Sequence, residues 1–573
     1  MFKDILPIFK EIYEREGRYR DKDELITDDY ILKTGEYILI GDNNIQKMII
    51  SGNKKKLEEE QINPLYNKFC KLDYNSSLLT MNKSIDKTKQ IHSNNFYSFF
   101  FKIENKDKLT KEVIDGYYKI LKNPYLKYTK PLQKQMYKSV EEKLGIVDIE
   151  KVEKLESYIK ENIDTIINEC SIGKGYVKIF FDEPISEYER EGNRYFLSNI
   201  YNVVDYNTLI DEELYGIPGF NLGCNSDKPN LKHRESAPFL LSLEDALMQK
   251  KLADFLSNQA ANQKYNVYIG EHIDESKYDI KAYSNKEEVA SSFRGVYLRV
   301  QKIKELEIID YSIISNFNPI LKNFDIKDYI GRDMGKYQFT QQKVRKLKDL
   351  ETIIDKNFFN SFLVNSYFSD PKKLNNPKIK QALISNREAL FDWFYKGDST
   401  RVKGSYEKFT IDLIYNSIEN SNEIGAIEKF NLRMSLKKYF GGSIVNLYEL
   451  KEELLNRLDK TTEFSFLNDD EYCMGVGQLA AYLTQQSQAS EKTFSLGMPV
   501  LKANNRNIVN NELKRLFIKY GYRINQSNKR FNNLFVAILD YNPKKINSEL
   551  VLAGYMMNNI MFNKKEDTTK EEI

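Results

Sequence analysis

The side chains best suited to bond-making chemistry are few in this chain and far apart. Its histidines are His92, His233 and His272, and its cysteines are Cys70, Cys170, Cys224 and Cys473. A zinc site or a His-Asp metal centre needs several such groups at fixed spacing, because they must converge on one ion. No Cys-x-x-Cys, His-x-x-Glu-His or His-Asp pair occurs, and no Gly-x-x-x-x-Gly-Lys-Ser/Thr loop for a nucleoside triphosphate. Glu449-Leu-Lys451 and Glu512-Leu-Lys514 carry the residue types with which restriction-type nucleases hold Mg²⁺ and a nucleophilic water. Those nucleases place the triplet on strands, whereas both triplets here sit in helical pattern. With 29% charged residues, such triplets arise by chance.

Three polar loops are candidates for contact with an anion or a base edge. Gly41-Asp42-Asn43-Asn44 closes a short strand and reads first as a hairpin turn. Gly173-Lys174-Gly175 offers backbone N–H groups to a phosphate, although a lone glycine pair is usually a turn. Asn225-Ser226-Asp227-Lys228 is a third loop.

The elements around these groups divide the chain. Its 573 residues allow about three domains, and 41% hydrophobic with 13% aromatic residues exclude wholesale disorder. No apolar run approaches the ~18 residues of a membrane helix, and the start lacks a basic segment followed by an apolar one, so a cytoplasmic protein without membrane partners is expected. Glu36–Ile40, Val177–Phe181, Tyr265–Ile269, Val296–Val300 and Leu306–Asp310 read as strands, with helices over Glu150–Glu169 and Leu243–Gln259 between them. From about Lys336 the pattern turns helical, over Gln341–Lys356, Ile379–Trp393 and Tyr406–Asn420. The fold class is therefore α+β: a mixed region with irregular short strands, then a helical region.

The net charge of +3 conceals a segregation. Between Met474 and Phe562 eleven lysines and arginines face four carboxylates, a surplus of seven. Apolar residues at i, i+3, i+4, i+7 mark helices there: Val476, Leu479, Ala480, Leu483; Leu513, Leu516, Phe517, Tyr520; Phe531, Leu534, Phe535, Ile538; and a fourth over Glu549–Met561. Short breakers between them describe a helical bundle. Lys514, Arg515 and Lys519 lie largely off the apolar stripe. A basic bundle on a near-neutral chain points toward a polyanion, or toward a solvated face that balances an acidic neighbour.

Several blocks together carry a resemblance. They are Lys228-Pro229-Asn-Leu-Lys-His233, Ala237-Pro238-Phe-Leu-Leu-Ser-Leu-Glu-Asp-Ala246, Leu256-Ser-Asn-Gln259, Gly295-Val-Tyr-Leu-Arg-Val-Gln-Lys302 and Glu307-Ile-Ile-Asp310. Further along come Ala426-Ile-Glu-Lys-Phe-Asn-Leu-Arg433, Lys438-Tyr-Phe440, Gly475-Val-Gly-Gln-Leu-Ala480, Gln486-Ser487, Lys492-Thr-Phe-Ser-Leu496, Lys529-Arg-Phe-Asn-Asn-Leu534 and Leu552-Ala-Gly-Tyr-Met-Met-Asn-Asn559. In their order the chain resembles the large subunit of type I-B CRISPR interference complexes (Cascade), the Csh family. Some members carry a paired-cysteine zinc knuckle in the centre. Here Cys224 stands alone, so neither metal nor cofactor is expected.

The resemblance implies a non-catalytic role in antiviral defence. A guide RNA selects the sequence, and the protein inspects a short adjacent motif (PAM), holds the displaced strand of the R-loop and recruits the helicase-nuclease. Implied partners are the guide RNA (crRNA), double-stranded target DNA, the displaced single strand, the repeat backbone and end-capping subunits, and small subunits made from this chain's own C-terminal region. A single strand needs a cationic track with aromatic faces. Lys502, Arg506, Lys514, Arg515, Lys519, Arg523, Lys529 and Arg530 supply the charge, and Tyr520 or Tyr522 a face. Asn43, Asn44, Lys174, Asn225, Ser226 and Lys228 are the PAM-proximal candidates. Expected domains are 1–330 (mixed α+β, PAM-proximal and docking), 331–433 (helical link), 434–562 (basic bundle) and 563–573 (polar tail). An internal start at Met434 would yield 140 residues and one at Met474 100; Met434 is preferred because Phe430–Phe440 reads as the opening of a helix. The alternative function is a metal-dependent nuclease of defence against mobile elements.

Overall fold

The computed structural model describes residues 2–15, 23–42, 44–52, 61–201, 207–211, 213–218, 240–333, 335, 337–460, 463–488, 494–525 and 527–562. Helix accounts for 55% and strand for 17%, with most strands ahead of the helical region, which is the α+β class expected. The chain divides into two compact units, Met1–Glu287 with Phe293–Ser315 and Glu288–Ser292 with Asn316–Ile573. No helix among the described residues is long and apolar enough to cross a membrane.

The first unit opens with α1 (Phe2–Glu14), the short α2 (Glu24–Thr27), the hairpin β1 (Gly35–Ile40) and β2 (Ile45–Ile50), and α3 (Pro64–Ser76). Then follow β3 (Ser98–Lys102), α4 (Lys111–Lys122), α5 (Pro131–Leu144), α6 (Ile149–Glu169), β4 (Tyr176–Phe181) and α7 (Ile185–Leu197). The four strands form one sheet in the order β2-β1-β4-β3, with β1 and β4 parallel and the other pairs antiparallel. Every residue of β1 is buried, as a near-continuous apolar run in a central strand requires. The buried Lys178 of β4 meets Asp73 of α3 at 2.5 Å, pinning that helix to the sheet.

A small sheet of β5 (Thr208–Ile210), β6 (Glu213–Gly216) and β7 (Leu241–Ser242) leads into α8 (Leu243–Ala261). Ser242 caps α8 by accepting from Asp245 N. A second sheet, ordered β11-β10-β8-β9, comprises β8 (Asn266–His272), β9 (Lys277–Tyr283), β10 (Phe293–Lys302) and β11 (Leu306–Phe317). Leu252 and Leu256 of α8 pack with Val267, Ile269 and Leu298 in one core with α1.

The second unit begins with β12 (Ile320–Ile326) and β13 (Gln342–Lys346), followed by α9 (Leu347–Phe359) and α10 (Leu363–Ser366). The helix expected over Gln341–Lys356 thus splits: Gln342, Lys343 and Val344 pair with Ile326, Asp325 and Phe324, and only the rest is helical. A strand partner some twenty residues upstream outweighs local helical preference. Next come α11 (Pro377–Lys396), α12 (Thr400–Glu419), α13 (Glu423–Tyr439), α14 (Leu447–Lys460), α15 (Asp469–Gln485), α16 (Met498–Leu501), α17 (Arg506–Tyr520), α18 (Lys529–Asp540) and α19 (Ser548–Met556). The last helix is shorter than Glu549–Met561, because the chain turns extended at Met557 and Ile560 N donates to the Gln478 side chain.

The expected boundary at 433 runs through α13, and the one at 330 lies inside the second unit. One core joins Ile330, Ile414, Ile427 and Phe430 to α15, α17, α18 and α19, so the region called a link belongs to the bundle. Arg433 makes the same point with charge: its Nε lies 3.0 Å from Glu549 of α19, and it donates to Thr410 Oγ1 of α12 at 2.6 Å. Met434 is 1% exposed midway along α13, not at its opening, and Met474 is buried in α15. Residues 563–573 lie outside the described residues.

Candidate nucleic-acid interface

The bundle's cations sit on two capped helices. Asn505 accepts from Ile508 N to start α17, and Asn528 accepts from Phe531 N to start α18. α17 buries Val509, Leu513, Leu516 and Tyr520; α18 buries Phe531, Leu534, Ala537 and Ile538. Phe517, Phe531 and Phe535 stack between them with ring centroids 5.0–5.7 Å apart. That ladder fixes the helix pair and turns the polar arc of α17 outward.

The eight cations read as nucleic-acid-binding separate into two kinds. Lys514, Lys519, Arg523 and Lys529 are exposed and make no ion pair among the described residues. The other four are engaged by other groups of the protein. Arg530 is a correction to the expected surface role: 9% exposed, it grips Asp459 of α14 through two 2.6 Å contacts and donates to Ile560 O at 3.0 Å. A bidentate guanidinium held this way braces α14 against α18. Arg506 donates to Leu539 O and Asp540 O at 2.7 and 3.0 Å, satisfying the open carbonyls at the end of α18. Lys502 lies 2.6 Å from Glu419, whose other oxygen pairs with Lys378. Arg515 pairs with Glu512 one turn back at 3.0 Å, a surface contact of small energy that a phosphate can displace.

The two tyrosines separate as sharply. Tyr520 is 7% exposed and belongs to the core, whereas Tyr522, in the 3-10 turn after α17, is 66% exposed beside Arg523. Ile518 is 83% exposed on the same helix as Lys514 and Lys519, so the face alternates charge with apolar surface. Such a surface can neutralise phosphates and offer one aromatic face to an unstacked base.

The first unit's candidates do not converge. Exposed Asn44 sits in the turn after β1, whose backbone closes by Gly41 N donating to Asn44 O at 2.9 Å. Exposed Lys174 sits before β4. Because β1 and β4 run parallel, with Gly35 opposite Tyr176, these turns lie at opposite ends of the sheet, about 15–20 Å apart. The Gly173–Gly175 turn also has its own anion: Gly175 N donates to Glu104 at 3.1 Å, and the backbone N–H groups of Glu104 and Gly175 hold that carboxyl below its ordinary pKa. It is not an open phosphate cradle. Asn43, Asn225, Ser226 and Lys228 lie outside the described residues, as do Cys224 and His233.

Glu449 and Lys451 lie on α14, and Glu512 and Lys514 on α17, so neither triplet is strand-borne. Among the described residues no three His, Cys, Asp or Glu side chains gather in a metal-sized cluster. His272 is wholly buried, its ring 5.2 Å from Phe293. Sequence reasoning missed a groove between α11 and α12, where Lys378, Lys408 and Lys502 share a lining with Tyr415. It shows no local signal, because its cations come from α11, α12 and the turn after α16. No protein-family model, curated protein or solved structure matches the chain.

Proposed function

We propose that this protein is a non-catalytic nucleic-acid-binding subunit of an RNA-guided DNA surveillance complex, the large subunit of a type I-B Cascade, acting in antiviral defence. In that role it inspects the PAM, stabilises the R-loop by gripping the displaced strand, and recruits the helicase-nuclease. Its partners are the guide RNA, target DNA and the backbone and end-capping subunits. The observation that carries the reading is the set of four exposed lysines and arginines without carboxylate partners among the described residues, on α17, α18 and the turn between them, next to exposed Tyr522. Phosphate neutralisation by such groups is sequence-independent, which suits a subunit whose complex delegates sequence choice to base pairing.

The test is single-strand binding across a salt series. Replacing Lys514, Lys519, Arg523 and Lys529 together by Gln should lower affinity and reduce the slope of log K against log salt by about 3, at ~0.7 per phosphate contact. Tyr522→Ala should cost about 1–3 kcal/mol at any salt, as a lost stacking face does. Lys502→Gln should change the slope less, because Glu419 already holds that ammonium. A quadruple variant with an unaltered slope returns this face to ordinary solvated surface.

A further inference from the structure

The first unit contains a cavity of about 410 Å³ bordered by α3, α7 and α8, with Lys33 ahead of β1 and Lys302 at the end of β10 on its wall. Its size falls in the range of small-molecule sites. Most charges on the wall are neutralised locally. Asp254 takes Lys250 and also accepts from Tyr74 at 3.1 Å; Lys251 pairs with Asp23; Glu189 has a partner of its own. Lys33 and Lys302 are different, because neither has an ion-pair partner among the described residues. Lys302 Nζ donates to Ser257 Oγ at 2.6 Å, and partial burial of its ammonium, with Lys33 adding repulsion and Asp254 opposing both, holds its pKa below the ordinary lysine value. Lys33 and Lys302 are both solvent-exposed, and Asp254, the carboxylate that acts on Lys302, already pairs with Lys250, so an anion entering between the two ammoniums lowers their mutual repulsion. Leu78, Leu247 and Leu306 line the same space and give it an apolar side, while Asn75 and Asn258 add polar groups.

We propose that this cavity binds an organic phosphate of mononucleotide size, with the phosphate between Lys33 and Lys302 and the apolar part against Leu78 and Leu247. Lysine suits this task as a point charge that reaches phosphate oxygens without demanding planar geometry. The same chemistry could arrive as a free nucleotide or as the phosphorylated end of a strand. The site is independent of the cationic face on α17 and α18, so failure of either leaves the other standing.

Calorimetric titration of the full chain with AMP, with 5′-phosphorylated octathymidylate and with its unphosphorylated twin tests the proposal. Saturable AMP binding below about 1 mM indicates a free nucleotide; binding that needs the 5′-phosphate indicates a strand end. Lys33→Gln with Lys302→Gln should weaken binding at least about tenfold, whereas Lys154→Gln, at an exposed position of α6, should leave it unchanged. Without ligand the double variant should be no less stable than the wild type in urea, since a repulsion has been removed. Inorganic phosphate should displace the bound probe from the wild type, a result that depends on no variant. No binding of either phosphorylated probe, equal weakening by Lys154→Gln, or failure of phosphate to compete overturns the site.

Discussion

The carbonyl of Lys89 can only accept, so the His92 Nε2 that lies 2.9 Å from it carries the ring proton, and Nδ1 accepts from the Tyr176 hydroxyl at 3.1 Å. This arrangement suits the neutral ring. Burial holds its pKa below the ordinary 6.5, with the Lys102 charge adding to that and the Lys89 contact and Asp86 opposing it. The folded state therefore binds fewer protons than the unfolded chain just below pH 6.5, so stability rises with pH through that window and is lost on acidification. Between about pH 7 and pH 5 the urea midpoint should fall more for wild type than for His92→Gln. Parallel midpoints would show that this imidazole charges freely. Arg530 illustrates the same limit on reading charge from residue type: its guanidinium is saturated by Asp459 and Ile560 and cannot serve a strand.

Helix α15 crosses α19 with backbones in contact. A Cβ on Gly477 would strike the Val551 carbonyl, and one on Gly554 the Met474 carbonyl. Gln478 reinforces the crossing by donating to Gly554 O at 2.6 Å, and Asn559 Nδ2 returns a bond to Gln478 O at 2.7 Å. Two of the blocks that carried the resemblance, Gly475–Ala480 and Leu552–Asn559, thus meet as one packing unit. Helix propensity alone would make Gly→Ala favourable by up to about 1 kcal/mol, whereas overpacking here costs about 2–3 kcal/mol. Gly554→Ala should therefore destabilise, while Gly404→Ala on α12, where a Cβ meets nothing within 4 Å, should stabilise by about 0.5–1 kcal/mol. Opposite signs in urea unfolding would establish the crossing; a stabilising Gly554→Ala would refute it.

The second unit has its own continuous core, from Ile330 through α12 and α13 to Ile560. A fragment spanning 316–573 should unfold cooperatively, because it keeps that core intact. A fragment starting at Met434 begins midway along α13, loses Ile427 and Phe430, and leaves Glu549 only Lys437 of its two cationic partners. It should bind a hydrophobic dye and melt without a sharp transition. If 434–573 instead unfolds as sharply as 316–573, the faces that α12 and the start of α13 cover are dispensable, and a short product from Met434 becomes structurally reasonable.

Periodicity and turn chemistry are local, so they were enough to place β1, β4, α6, α8, α11 and the bundle helices within a few residues of where they lie. Composition was likewise enough to locate the surplus of positive charge. Neither could say which cations stay free, because Arg530 is neutralised by a carboxylate 71 positions away and Arg433 by one 116 positions away. Nor could they separate Tyr520 from Tyr522, two positions apart on a turn whose direction the Phe517–Phe531–Phe535 stack sets. Strand β13, the boundary inside α13 and the cavity shared by Lys33 and Lys302 are of the same kind. Each depends on segments remote in the chain being brought together, and such pairings are decided by the packing of whole elements, not by the pattern within any one of them.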